Sequence, residues 1–157
     1  MIYDSPEWRD ARDAKLLEWF GGDRSALDFI TTLGGISELW DALVDGDELP
    51  PREEIDLTFW GALVELPTNE FFNAHKAKLM PLIFQAIIAW RDSVELEREG
   101  SRGRAYALTL RDVHLLMAPM IVMILRGPEA ARESSLEMWK FFTANDDPIE
   151  WIGKEAA

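Results

Sequence analysis

The sequence predicts an all-α, single-domain helical bundle built around a buried helical hairpin. Three observations carry this. Apolar residues recur at three- and four-residue spacing along most of the chain. Helix-capping and helix-breaking residues fall between those runs. Two segments, Leu79–Trp90 and Val113–Leu125, are apolar almost all round, as helices at a core are.

Taken in order, Ser5-Pro6-Glu7 starts a helix with an N-cap serine, a proline at the first position and an acid after it. Leu16, Trp19 and Phe20 form its apolar face, and Gly21-Gly22 ends it. Asp23 caps a second helix with Ala26, Phe29, Ile30 and Leu33 inward. Gly34-Gly35 is expected to interrupt the helix. Ile36, Leu39, Trp40, Leu43 and Val44 then form a second buried stripe, ending at Gly46. Pro50-Pro51 marks a loop. Arg52 to Leu66 reads as a helix that buries Ile55, Phe59, Leu63 and Leu66. Thr68 or Asn69 caps a long segment, Glu70 to Glu99, which Pro81 should kink or divide. Gly100 to Arg104 reads as a turn. Thr109 and Asp112 resemble a capping box for the second apolar helix, bent at Pro119 and closed by Gly127-Pro128. A last helix runs from Glu129 to Thr143, and Ile149 to Gly153 adds a turn. No repeat, linker or low-complexity tract divides the 157 residues, so residues 1–157 read as one domain.

Composition removes several chemistries. Without cysteine there is no disulfide, thiolate nucleophile or sulfur-ligated metal. The first residues lack the basic start and apolar run of a secretory signal. Neither apolar segment reaches the roughly 20 residues that a membrane crossing needs. The expected location is therefore cytoplasmic. The net charge is −13, and residues 1–67 hold 16 acids against 5 bases. Phosphate binding draws on Lys and Arg, so direct nucleic-acid binding is not expected. No G-x-S-x-G elbow, Walker loop, G-x-G-x-x-G or H-E-x-x-H motif is present, and no residue is assigned as catalytic or cofactor-binding.

The candidate metal site is the acidic helix end Trp40-Asp41-Ala42-Leu43-Val44-Asp45-Gly46-Asp47-Glu48. Asp41 and Asp45 share a face at i, i+4 spacing, and Gly46 lets the chain curl so that Asp47 can face back. Carboxylates at a helix C-terminus oppose the helix dipole and should attract a cation. That cation is Mg²⁺ or Ca²⁺, which take oxygen ligands, or an arginine such as Arg91 or Arg111. Trp8 and Trp151 near the chain ends, with Arg102 and Arg104 in the only basic cluster, are the candidate partner contacts. The heavy apolar load, including seven tryptophans, also suggests a homodimer through a two-fold interface. An alternative reading is a divalent-metal-dependent all-α nucleotide hydrolase, with Asp92, Glu95 and Glu99 opposite Glu53, Glu54 and Asp56.

The run from Trp40 to Asp47 resembles the W-D-D-L-[IV]-D-G-D signature of a group of small proteins from tailed phages and prophages. Phe59-Trp60-Gly61-Ala62-Leu63-Val64-Glu65-Leu66-Pro67, Asn69-Glu70-Phe71-Phe72, His75, Leu79-Met80-Pro81-Leu82, Ala86-Ile87-Ile88-Ala89-Trp90 and Leu125-Arg126-Gly127 extend the likeness over residues 36–130. Ala42 replaces the signature's second aspartate, and Glu70 stands in place of a proline. The resemblance implies an all-α fold and a phage setting, with no reaction attached. The function expected from it is that of an accessory or morphogenesis protein acting through protein–protein contacts.

Overall fold

The computed structural model describes residues 5–46, 50–144 and 147–153. Among these the chain is helical and contains no strand. The elements are α1 (Pro6–Trp19), α2 (Arg24–Asp45), α3 (Arg52–Trp60), a π-helical turn (Gly61–Glu65), α4 (Leu66–Thr68), α5 (Glu70–Glu97), α6 (Ser101–Ala107), α7 (Val113–Arg126), α8 (Pro128–Phe142) and α9 (Pro148–Gly153).

Side-chain caps set most of the starts. Ser5 Oγ accepts from the Trp8 amide at 3.1 Å, Asp23 from Ala26 at 2.9 Å, and Asn69 from Phe72 at 2.8 Å. Asp112 rather than Thr109 caps α7, accepting from the His114 and Leu115 amides. Gly46 closes α2 in the left-handed conformation (φ 74°), which a side chain would resist.

The core joins α1, the first half of α2, the start of α5, α7 and α8. Leu16, Phe20, Phe29, Ile30, Leu79, Met117, Ile121 and Met138 are buried there. α7 is central, as its composition predicts. It pairs most closely with α8 through the tight turn at Gly127-Pro128, and meets α5 over a smaller area. The hairpin at the core is therefore α7–α8. The 82–90 stretch of α5 is half-exposed, with Phe84 in solvent. That stretch lies between two covered parts of the 28-residue helix, the core at Phe71–Leu79 and the contact with α6 at Ser93 and Val94.

The break expected at Gly34-Gly35 does not occur, and neither internal proline divides its helix. α5 continues through Pro81 and α7 through Pro119. α2 runs unbroken through Gly34-Gly35. Gly34 has a packing reason: a Cβ there would lie 2.8 Å from His114 Cε1. Residues 101–104 form the first turn of α6 instead of a loop. Gly103 lets that helix lie against α5, since a Cβ would stand 2.0 Å from the Leu96 carbonyl oxygen.

Polar ties fix the outer helices. Asn69 Nδ2 donates to the Ser25 carbonyl at 2.8 Å, joining the starts of α2 and α5. Lys15 on α1 donates to Glu18 and to Glu137 of α8, each at 3.1 Å, and Trp19 Nε1 donates to Glu137 at 3.2 Å. These bonds to Glu18 and Glu137 raise the Lys15 pKa. The bonds from Lys15 and Trp19 lower that of Glu137.

Candidate functional site

Two features lie near α2. The first is a polar cluster where α2, α5 and α7 meet. Asp41 Oδ1 accepts from Trp90 Nε1 at 2.7 Å and stands 3.6 Å from an Arg111 guanidinium nitrogen. Arg111 also donates to Glu97 at 2.9 Å and lies over the Trp151 ring, 5.7 Å from its centroid. Trp40 packs against Trp90 at 5.1 Å. One arginine thus gathers groups from α2, α5 and α9. An apolar cleft of about 70 Å³ lined by Leu33, Ile83, Ile87 and Leu116 runs beside it. A wider, more polar one of about 260 Å³ is bordered by Trp8, Glu38, Asp112 and His114.

His114 is buried in the wall of the wider cleft. Its ring stacks on Phe142 at 5.4 Å, and Nδ1 is 3.8 Å from Asp112 Oδ1. Nε2 is buried and makes no hydrogen bond in the protein. Burial lowers the His114 pKa below its ordinary value, so the ring is neutral at physiological pH.

The second feature is the outward face of α3 and the π-helical turn. Of the expected inward face, Ile55 and Leu66 are half-buried, Leu66 against the core, while Phe59 and Leu63 are off the side that packs. Phe59 and Leu63 point outward, and the face against the protein is Ile55, Thr58, Gly61 and Ala62. Gly61 decides the rotation. It is buried against α2, where a Cβ would stand 3.1 Å from Thr32 Cγ2, so the closest approach falls at the residue without a side chain. The wide turn follows, with the Leu66 amide bonding the Gly61 carbonyl five residues back. What remains outside is apolar: Leu57 is 69% exposed, Trp60 56% and Leu63 73%, with Val64 beside them.

The acidic helix end is placed as follows. Asp41 turns toward Trp90 and Arg111, one of the two arginines named from sequence. Asp45 is exposed at the last turn of α2, and Asp47 lies outside the described residues. Among the described residues no three His, Asp or Glu side chains gather as metal ligands. Trp40, Leu43 and Val44, expected in a buried stripe, are exposed, because the last turns of α2 extend past the core.

The partner-contact residues separate. Arg102 is exposed. Arg104 is buried, and its Nε donates to the Ile152 carbonyl at 3.0 Å, so it holds α9 instead of facing outward. Trp151 is half-buried under Arg111. Trp8 is half-buried, with the Arg12 guanidinium 5.4 Å from its ring. Sequence reasoning missed the outward face of α3. The signal available was the alternative stripe Leu57, Trp60, Leu63 and Val64, at helical spacing on the side away from Ile55, Thr58 and Ala62.

No helix of the described residues is long and apolar enough to cross a membrane. No protein-family model, curated protein or solved structure matches this chain.

Proposed function

We propose that the chain is a non-enzymatic accessory or morphogenesis protein of a tailed phage, working in the host cytoplasm or on the assembled particle. It acts by holding another protein on the outward face of α3 and the π-helical turn. The observation behind this reading is the rotation of that helix. It docks through Gly61 and Thr58 and leaves Leu57, Trp60, Leu63 and Val64 in water. Covering each large apolar side chain is worth roughly 1.5–3 kcal/mol, and exposed aromatic and aliphatic clusters are where binding energy concentrates. The phage setting rests on the resemblance of residues 36–130.

A photo-crosslinking residue at Leu63 tests this in cells producing the phage. The expected result is a discrete protein adduct from position 63, and none from the same residue at Glu133, an exposed position on α8. Equal adducts at both positions, or none, would contradict the reading. Hydrolysis of nucleotides with Mg²⁺ or Mn²⁺, lost in Asp45→Asn, would replace it with the hydrolase.

A further inference from the structure

We infer that the segment bound on this face is a basic amphipathic helix, with an apolar stripe flanked by Lys or Arg. The inference rests on the reading of α3 and the π-helical turn as a protein interface.

The face has the shape of such a site. Outward residues Glu53, Asp56, Leu57, Trp60 and Val64 fall at i, i+3, i+4, i+7 and i+11, with Leu63 beside them, a single stripe along one side of a helix. From residue 53 to residue 64 the stripe spans about 17 Å, roughly three turns of a partner helix. Apolar anchors at that spacing are how one amphipathic helix meets another.

The charge around the stripe selects the partner. Its first turn carries Glu53 and Asp56, both exposed. Arg52 approaches Asp56 only at 3.6 Å, with side chains 92% and 70% exposed, so that pair is worth little and a partner cation can replace it. At the other end Glu65 follows Val64 and faces a groove of about 780 Å³ between α2, α4 and α5. Asp28, Glu65 and Glu70 border that groove, and Arg24 is its only basic residue among those described. Glu53 and Glu70 also suit helix N-termini; Asp28 and Asp56 have no such role, and Glu65, which precedes α4, makes no side-chain capping bond there. Acids at both ends of an apolar stripe favour Lys or Arg on the partner. A second copy of this chain offers the opposite, since each carries a net −13, most of it on residues 1–67.

Calorimetric titration of the full chain with two synthetic helical peptides, identical in their leucine stripe and carrying either Lys or Glu on the flanks, tests this. The lysine peptide is expected to bind at least about tenfold more tightly. Leu63→Ser should weaken it by a similar factor, and Glu65→Lys with Asp56→Lys should remove the preference. The double reversal Glu129→Lys with Glu133→Lys, on the surface of α8, should not; this separates the site from the bulk charge. Equal binding of the two peptides overturns the inference, as does lysine-peptide binding indifferent to Leu63→Ser and Glu65→Lys. Self-association by sedimentation that Leu63→Ser abolishes makes a second copy the occupant. That outcome overturns the basic partner while the interface reading survives. Failure to bind either peptide, with the adduct at position 63 still formed, has the same consequence. If the adduct is absent too, both fall.

Discussion

His114 and Gly34 are matched at the scale of single atoms. The imidazole fits over α2 only because residue 34 has no Cβ, and burial keeps the ring neutral. Its folded pKa is lowered, so the unfolded chain takes up the proton first. The contribution to stability is therefore complete above about 6.5, the ordinary value, and declines as pH falls toward the lower folded value. Thermal melts at pH 7.5 and pH 5.5 should show a fall for the native chain, and a smaller fall for His114→Gln. An equal fall in both would mean that the ring does not titrate as burial requires. Asp41 makes a second prediction. Asp41→Ala removes the acceptor of Trp90 and one partner of Arg111, and should cost about 1–2 kcal/mol once solvent screening is allowed for. Divalent ions should leave the Asp41→Ala melting temperature and that of the native chain equally unchanged if Arg111 is the only cation Asp41 meets. Stabilisation of the native chain by millimolar Ca²⁺ would instead restore a metal to the acidic turn. The sequence carried Asp41 and its arginine as a pair of options. It could not carry Trp90, because the approach of residues 41 and 90 depends on how α2 and α5 cross.

Helix existence was legible from periodicity and caps. Ser5, Asp23, Asn69, Gly46 and Gly127 act as local chemistry requires, because a cap needs only its neighbours. Which face turns inward was legible for α1 and the first half of α2, where large apolar residues decide. It was not legible for α3, where a glycine decides. Hydrophobic pattern gives Gly61 no weight, yet close backbone approach depends on it. The same blindness misplaced Gly34-Gly35 as a break. A matched pair of variants isolates the point. Gly35→Ala meets nothing within 4 Å and should stabilise the chain by roughly 0.4–1 kcal/mol through helix propensity. Gly34→Ala gains the same propensity but drives a methyl into His114, and overpacking at about 1–3 kcal/mol should leave it less stable than the native chain. Chemical denaturation of the two proteins should move the midpoints in opposite directions. Midpoints that rise together would show that the His114 contact yields without cost.

Across the whole molecule, the buried apolar residues hold the helices together, and the proposed docking face draws on the exposed ones, which also include Trp40, Leu43 and Phe84. Phe29 of α2 packs on Phe71 and Phe72 of α5, Ile30, Met117 and Ile121 lie in the same core where α2 meets α7, and the Lys15–Glu137 contact clasps α1 to α8. The clasp has its own pH window. Glu137, with its pKa lowered, supports folding above about 4.5 and loses that contribution as pH falls through its folded value. Lys15, with its pKa raised, does so below about 10.5 and loses it as pH rises through its folded value. Lys15→Met should therefore flatten the stability profile at both extremes, as read by melting temperature across pH. Trp60 and Leu63 belong to the exposed set, at 56% and 73% exposed. The most direct measurement is the melting temperature of Trp60→Ser with Leu63→Ser, set beside Phe29→Ala and read together with a photo-crosslinking residue placed at Val64, since position 63 is itself substituted. The account predicts that the double variant melts within a few degrees of the native chain, as surface changes of about 0.5 kcal/mol each do. Phe29→Ala should lose about 3–5 kcal/mol, and the adduct at Val64 should vanish in the double variant. A double variant that melts as early as Phe29→Ala, or one that keeps the adduct, would show that this face serves the fold and not a partner.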